Sequence, residues 1–145
     1  MALPQPAPGL VIRFGYVWKR EAQSGRESGA KDRPCVVVLA VEAVAGQTLV
    51  TVVPVTHTRP DDDTGGVPLL TKVQRRLGLD TEPAWVVVSE VNRFIWPGPD
   101  LRPVSADRPD TFAYGFLPHD LLADIRDKMV AWHRAHRVSI VRRQS

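Results

Sequence analysis

Arg33 stands directly before Pro34 and the apolar run Cys35-Val36-Val37-Val38-Leu39. Proline has no N–H to give a ladder, so it belongs at the start of a strand. The β-branched run behind it predicts a strand buried on both faces. Arg33 is then an always-charged guanidinium at the mouth of a rigid, dry strand, the fixed fork that phosphate recognition needs. Two more polar groups fall at predicted strand ends. Thr56, His57 and Arg59 follow the third strand, and Ser89, Glu90, Asn92 and Arg93 interrupt an apolar run. With Glu27 on the loop before Arg33, these supply a guanidinium, a hydroxyl, a carboxylate and an imidazole. That set is sufficient for acid–base work on a phosphodiester.

Each residue also has a plainer reading. Arg33 would pair with a loop carboxylate, and Thr56 would close a turn through its hydroxyl. Glu90 and Asn92 would satisfy backbone groups at a strand end. Asp61-Asp62-Asp63 has the composition of a Mg²⁺ site, but an acidic loop run is ordinarily a solvated tip. His133-x-x-His136 has no Cys or further His beside it for zinc. No metal or cofactor is expected. The Arg142-Arg143 pair near the C-terminus reads as a solvated tail.

The elements that must hold these groups are mostly strands. Leu10 to Trp18 alternates, a polar loop covers Lys19 to Asp32, and the second strand runs from Pro34 to about Ala43. Ala45-Gly46-Gln47 signals a hairpin turn, and Thr48 to Val53 returns, stopping at Pro54. Val55 to Gly66 is a polar loop, followed by a short strand from Val67 to Leu70. Thr71 to Leu77 is a helical turn closed by Gly78. One long strand is expected from Ala84 through Glu90 to Ile95, a turn at Pro97-Gly98-Pro99-Asp100, and a last strand from Phe112 to Phe116. After Pro118 the period changes to 3.6, with Leu121, Leu122, Ile125, Met129 and Trp132 on one face. The chain thus predicts a mainly β domain, a small antiparallel barrel with a C-terminal helix, over 9–136. A flexible Pro-rich arm, 1–8, precedes it and a basic tail, 137–145, follows.

The 145 residues carry a formal charge of +3, which permits a nucleic-acid partner without demanding one. Most of the cations are arginine. The single cysteine, Cys35, lies inside an apolar run and reads as a buried thiol in a reducing, cytoplasmic setting. The N-terminus lacks the charge and apolar core of a secretion signal. No apolar stretch approaches the roughly 20 residues of a membrane span.

These blocks, in order, carry a resemblance. Gly25-Arg26-Glu27-Ser28-Gly29 followed by Arg33-Pro34 and the Val-rich strand resembles the G-x-E-x-x-G-x-R-P signature of the MazF/PemK/Kid family of toxin ribonucleases. Val53-Pro54-Val55-Thr56 resembles that family's V-P-x-T. Val91 to Trp96 resembles its V-x-x-x-x-W, and Leu117-Pro118 opens the expected helix. The resemblance implies an SH3-like barrel, a homodimer, an acidic antitoxin partner, and metal-independent cleavage of single-stranded RNA to 2′,3′-cyclic phosphate ends. It puts Arg33, Thr56 and Glu27 in the catalytic set. Around them, Arg26, His57, Arg59, Glu90, Asn92 and Arg93 would bind substrate. Two departures stand out. His57 replaces the family's frequent Ser or Thr, and the family's acidic position aligns with Ser89. Strand alternation would turn the neighbouring Glu90 to the opposite face.

Two other functions fit the same fold class. The toxin CcdB resembles this fold and inhibits DNA gyrase without cutting RNA, and a barrel of this kind could also bind RNA without cleavage. A gyrase inhibitor has no need of Arg33 together with Thr56.

Overall fold

The computed structural model describes residues 3–25, 31–42, 44–136 and 139–143. Its nine strands and three helices run in the order β1 (Leu10–Phe14), α1 (Lys19–Gln23), β2 (Arg33–Glu42), β3 (Thr48–Thr56), β4 (Gly66–Leu69), α2 (Thr71–Leu77), β5 (Ala84–Val87), β6 (Glu90–Ile95), β7 (Leu101–Arg102), β8 (Ala113–Phe116), α3 (His119–His136) and β9 (Ser139–Arg142). The strands join one sheet in the order β4-β5-β3-β2-β1-β7, with β6 on β3, β8 on β1, and β9 on β6. Every pairing is antiparallel except β6 with β9, which is parallel. Among the described residues the sheet stays open, because no ladder joins β4 back to β7.

In β2 the run Cys35 to Val38 is apolar and buried on both faces, whereas Leu39 and Val41 beyond it are exposed. Val36 and Val38 pack into one cluster with Val11, Val53, Val55 and the helical residues Val73, Leu77, Leu121 and Ile125. Cys35 and Val37 pack into a second cluster with Ile12, Phe14, Val50, Val52 and Phe94. The period of two assigns neighbours to opposite sides of the sheet. Helices α2 and α3 cover the first face. The second is filled by aromatics, with the Phe14 and Phe94 rings stacked at 4.4 Å.

The helix boundaries follow local chemistry. Gly78 closes α2 with φ 74°, the left-handed C-cap that glycine adopts without a Cβ penalty. Pro118 leads into α3, and its carbonyl accepts from Leu122 N–H at 3.0 Å. Leu121, Leu122 and Ile125 are buried, while Met129 and Trp132 are half-buried further along the same helix.

Several boundaries differ from the sequence reading. Strand β3 continues through Pro54 to Thr56. Its outer partner is β6 as far as Val52 and β5 from Val55. Pro54 therefore falls at the handover between neighbours, where the interruption of a ladder costs least. The expected long strand from Ala84 to Ile95 breaks after Val87 and resumes at Glu90. Within the predicted polar loop, Lys19–Gln23 is a short helix, entered where Glu21 Oε1 accepts from Trp18 N–H at 3.0 Å.

The largest difference lies near the C-terminus. Residues Ser139–Arg142 form β9 along β6, and Arg143 is buried. Arg143 donates to Asp100 Oδ2 at 2.5 Å, and to Gly15 O and Asn92 Oδ1 at 3.0 Å each. The guanidinium is solvated by protein groups instead of water. At the other end, Gly9 N–H donates to Val37 O at 2.7 Å, which ties the chain to the sheet just after the Pro-rich segment. No helix among the described residues is long and apolar enough to cross a membrane.

Candidate functional site

A cleft of about 760 Å³ opens where the start of β2, the end of β3 and the start of β6 converge. Of the sequence-predicted residues it gathers Arg33, Thr56, His57, Arg59 and Glu90. Trp18, Asp80 and Trp132 also line it. The residues come from distant parts of the chain because β3 pairs with β2 on one side and with β5 and β6 on the other. Glu27 and Arg26 lie outside the described residues.

Arg33 is half-buried at the first position of β2. Its guanidinium carbon lies 5.0 Å from the centre of the Trp18 ring, a cation–π contact that fixes the side chain's plane. One terminal nitrogen reaches the Val55 carbonyl at 3.4 Å. The Nε atom is buried and has no hydrogen-bond partner among the described residues. A buried unsatisfied donor is costly, and such groups call for an explanation. Here it belongs to the guanidinium that opens β2.

Thr56 closes β3. Its Oγ1 accepts from Thr58 N–H at 3.1 Å, which leaves the hydroxyl hydrogen to donate elsewhere. Glu90 opens β6 and is half-buried. Its Oε1 accepts from Lys19 N–H at 2.9 Å and from Tyr16 O–H at 3.1 Å. Burial pushes the carboxyl above its ordinary range, and these two donors pull it partly back. Burial also pushes the Tyr16 hydroxyl far up, so it remains a donor.

Alternation predicted that Glu90 would face away from Ser89. Both line the cleft. The reason is the break between β5 and β6: residues 88–89 belong to neither strand, so the period of two does not carry across them.

His57 is exposed but fully engaged. Nδ1 meets Pro83 O at 2.8 Å, and Nε2 meets Asp80 Oδ2 at 3.1 Å. The hydrogen bond to the Pro83 carbonyl, followed by those from Asp80 and the charge of Glu82, raises its pKa. These contacts tie the 80–83 loop to the end of β3. His57, Asp80 and Glu82 are the one group among the described residues whose donor atoms lie close enough for a metal ion. Within the group, His57 Nε2 lies 3.1 Å from Asp80 Oδ2 and 4.0 Å from Glu82 Oε2.

Arg59 pairs with Asp63 at 3.2 Å on a strongly exposed surface, a contact worth little. Asp62 caps a 3-10 turn by accepting from Thr64 N–H and Oγ1 at 2.9 and 2.6 Å. The acidic run is therefore a structured loop tip.

Asn92 and Arg93, expected to touch substrate, do not line the cleft. Asn92 is fully buried. It donates to Val17 O at 2.8 Å and accepts from Val17 N–H at 2.9 Å, tying β6 to the chain after β1. Arg93 is half-buried, and its Nε lies 3.3 Å from Thr51 Oγ1. Cys35 is buried, and burial pushes its thiol up, so it is no nucleophile.

No protein-family model matches this chain, and no curated protein matches it. Trp18 and Tyr16 are the site residues that sequence reasoning missed. Alternation marked them only as strand residues, and nothing local signalled that one would lie against Arg33 and the other would hold Glu90.

Proposed function

We propose that this protein is a metal-independent endoribonuclease of the MazF/PemK/Kid kind, the toxin of a toxin–antitoxin pair. Its substrate is single-stranded RNA, cut by attack of a 2′-hydroxyl on the adjacent phosphorus. The observation that carries the reading is the cleft lined by Arg33, Thr56 and Glu90, with a buried donor of Arg33 unsatisfied among the described residues.

The roles follow from the chemistry of each group. Glu90, with its pKa raised toward the working range, takes the proton from the 2′-hydroxyl. The 2′-oxygen bonds to phosphorus, the bond to the 5′-oxygen breaks, and that oxygen takes a proton from solvent. Products are a 2′,3′-cyclic phosphate and a 5′-hydroxyl. Arg33 stabilises the charge that gathers on the non-bridging oxygens, and the Thr56 hydroxyl donates to the same group. Arg59 and the His57 imidazolium add positive potential at the rim. In this reading the open sheet is a variant of the SH3-like barrel. The protein acts in the cytoplasm as a homodimer and is neutralised by an acidic antitoxin segment.

The test is incubation of the pure protein with a long single-stranded RNA in EDTA, followed by analysis of the ends. Cleavage to cyclic phosphates is expected. Intact RNA, or cleavage lost in EDTA and restored by Mg²⁺, would overturn the proposal.

A further inference from the structure

The side chains of Arg13 and Arg102 stand opposite one another. Their Cα atoms are direct partners where β1 pairs with β7, so both side chains leave the sheet on the same face. Both line a second cleft of about 230 Å³, with Asp32 and Ser105 on its wall. Like charges directly opposite on paired strands destabilise a sheet. The compensation present is partial. Arg102 lies 3.8 Å from Asp32 Oδ1 and 3.8 Å from Asp100 Oδ1, but Asp100 is held more closely by Arg143, at 2.5 Å. Arg13 donates to the Val104 carbonyl at 3.1 Å and has no ion-pair partner among the described residues. Arg13 and Arg102 thus face one cleft together, with Asp32 as the one carboxylate on its wall. Asp32 lines this cleft and the larger one alike, so the two adjoin.

We infer that Arg13 and Arg102 form a second phosphate-binding subsite, which takes a backbone phosphate of the same RNA strand whose scissile phosphate lies at Arg33. The inference rests on the RNA reading of the larger cleft. It adds a direction: the strand leaves Arg33, passes Asp32 and crosses the β1/β7 edge. Arg13 and Arg102 hold the strand and take no part in the chemistry. Asp32, between the two clefts, repels phosphate and so separates the two phosphate positions.

The test measures binding of a single-stranded RNA that is 2′-O-methylated throughout, and so resists cleavage, over a range of salt concentrations. Each released phosphate contact lowers the slope of log affinity against log salt by about 0.7 for single strands. Arg13→Gln and Arg102→Gln should each lower it by about that amount, and Arg102→Lys should keep it. Neither Gln variant should change affinity for a trinucleotide too short to reach both clefts. On unmethylated long RNA, Arg102→Gln should raise KM and leave kcat unchanged. Ser105→Asp adds a carboxylate to the cleft wall without touching either guanidinium, and it should weaken long-RNA binding even if Arg13→Gln fails to fold. Unchanged slopes in variants that still bind RNA would overturn the subsite and leave the proposed activity standing. Failure of the wild-type protein to bind RNA at all would overturn both.

Discussion

Tyr16 O–H donates to Glu90 Oε1 at 3.1 Å, a bond that joins the end of the β1 segment to the start of β6 across 74 residues of sequence. It supports the ionised form of a carboxylate that burial disfavours. Tyr16→Phe removes that support and should raise the Glu90 pKa further. If Glu90 is the base, the rate rises with pH as Glu90 ionises. The acid limb of the kcat/KM profile should therefore move to higher pH in Tyr16→Phe. An unmoved limb would assign that limb to another group.

Glu90→Gln separates catalysis from stability. A carboxyl whose pKa is raised on folding binds protons more tightly in the folded state. Its unfavourable contribution is absent at pH values below the ordinary carboxylate pKa and develops as pH rises through the raised folded pKa. Gln keeps an oxygen for Lys19 N–H and Tyr16 O–H. Thermal unfolding at neutral pH should show the variant no less stable than the wild type, with any advantage vanishing in acid. Cleavage should fall by about 10²–10⁴-fold.

Arg33→Ala and Arg33→Lys should fold, since the side chain's one hydrogen bond among the described residues is long, at 3.4 Å. Both should bind RNA and lose about 10²–10³-fold in cleavage rate, because lysine keeps the charge but not the planar fork. The measurement is single-turnover cleavage beside a denaturant titration. A folded Arg33→Ala enzyme cutting at the wild-type rate would remove Arg33 from the site.

Asp100→Ala should remove the carboxylate that pairs with the buried Arg143 guanidinium at 2.5 Å. Breaking one partner of a buried pair costs roughly 3–5 kcal/mol. Urea unfolding should show a loss of that order. A loss below about 1 kcal/mol, the range of exposed pairs, would mean that the β9 end is open to water.

Arg59→Glu reverses a charge at the rim of the cleft. The Arg59–Asp63 pair is exposed, so stability should change by no more than about 0.5 kcal/mol. RNA affinity should fall and its salt slope flatten, as for loss of a phosphate contact.

Most of the strands, the α2 stop and the apolar face of α3 were legible because each is written in local pattern, whereas β7 and β9 were not foreseen. The β-branched run after Pro34 is buried on both faces, Gly78 takes the left-handed φ at the end of α2, and the 3.6 period carries Leu121, Leu122 and Ile125 inward. Arg33 and Thr56 were marked by their positions at strand ends. What local pattern does not encode is the identity of a partner far along the chain. Only the fold decided that β3 hands over from β6 to β5 at Pro54, which brings Thr56 beside Arg33 and Glu90. Only the fold buried Asn92 against Val17, and turned the basic end of the chain into a strand with Arg143 locked on Asp100. A polar side chain reads as exposed until its partner is known, and here each partner lies 43 or more residues away.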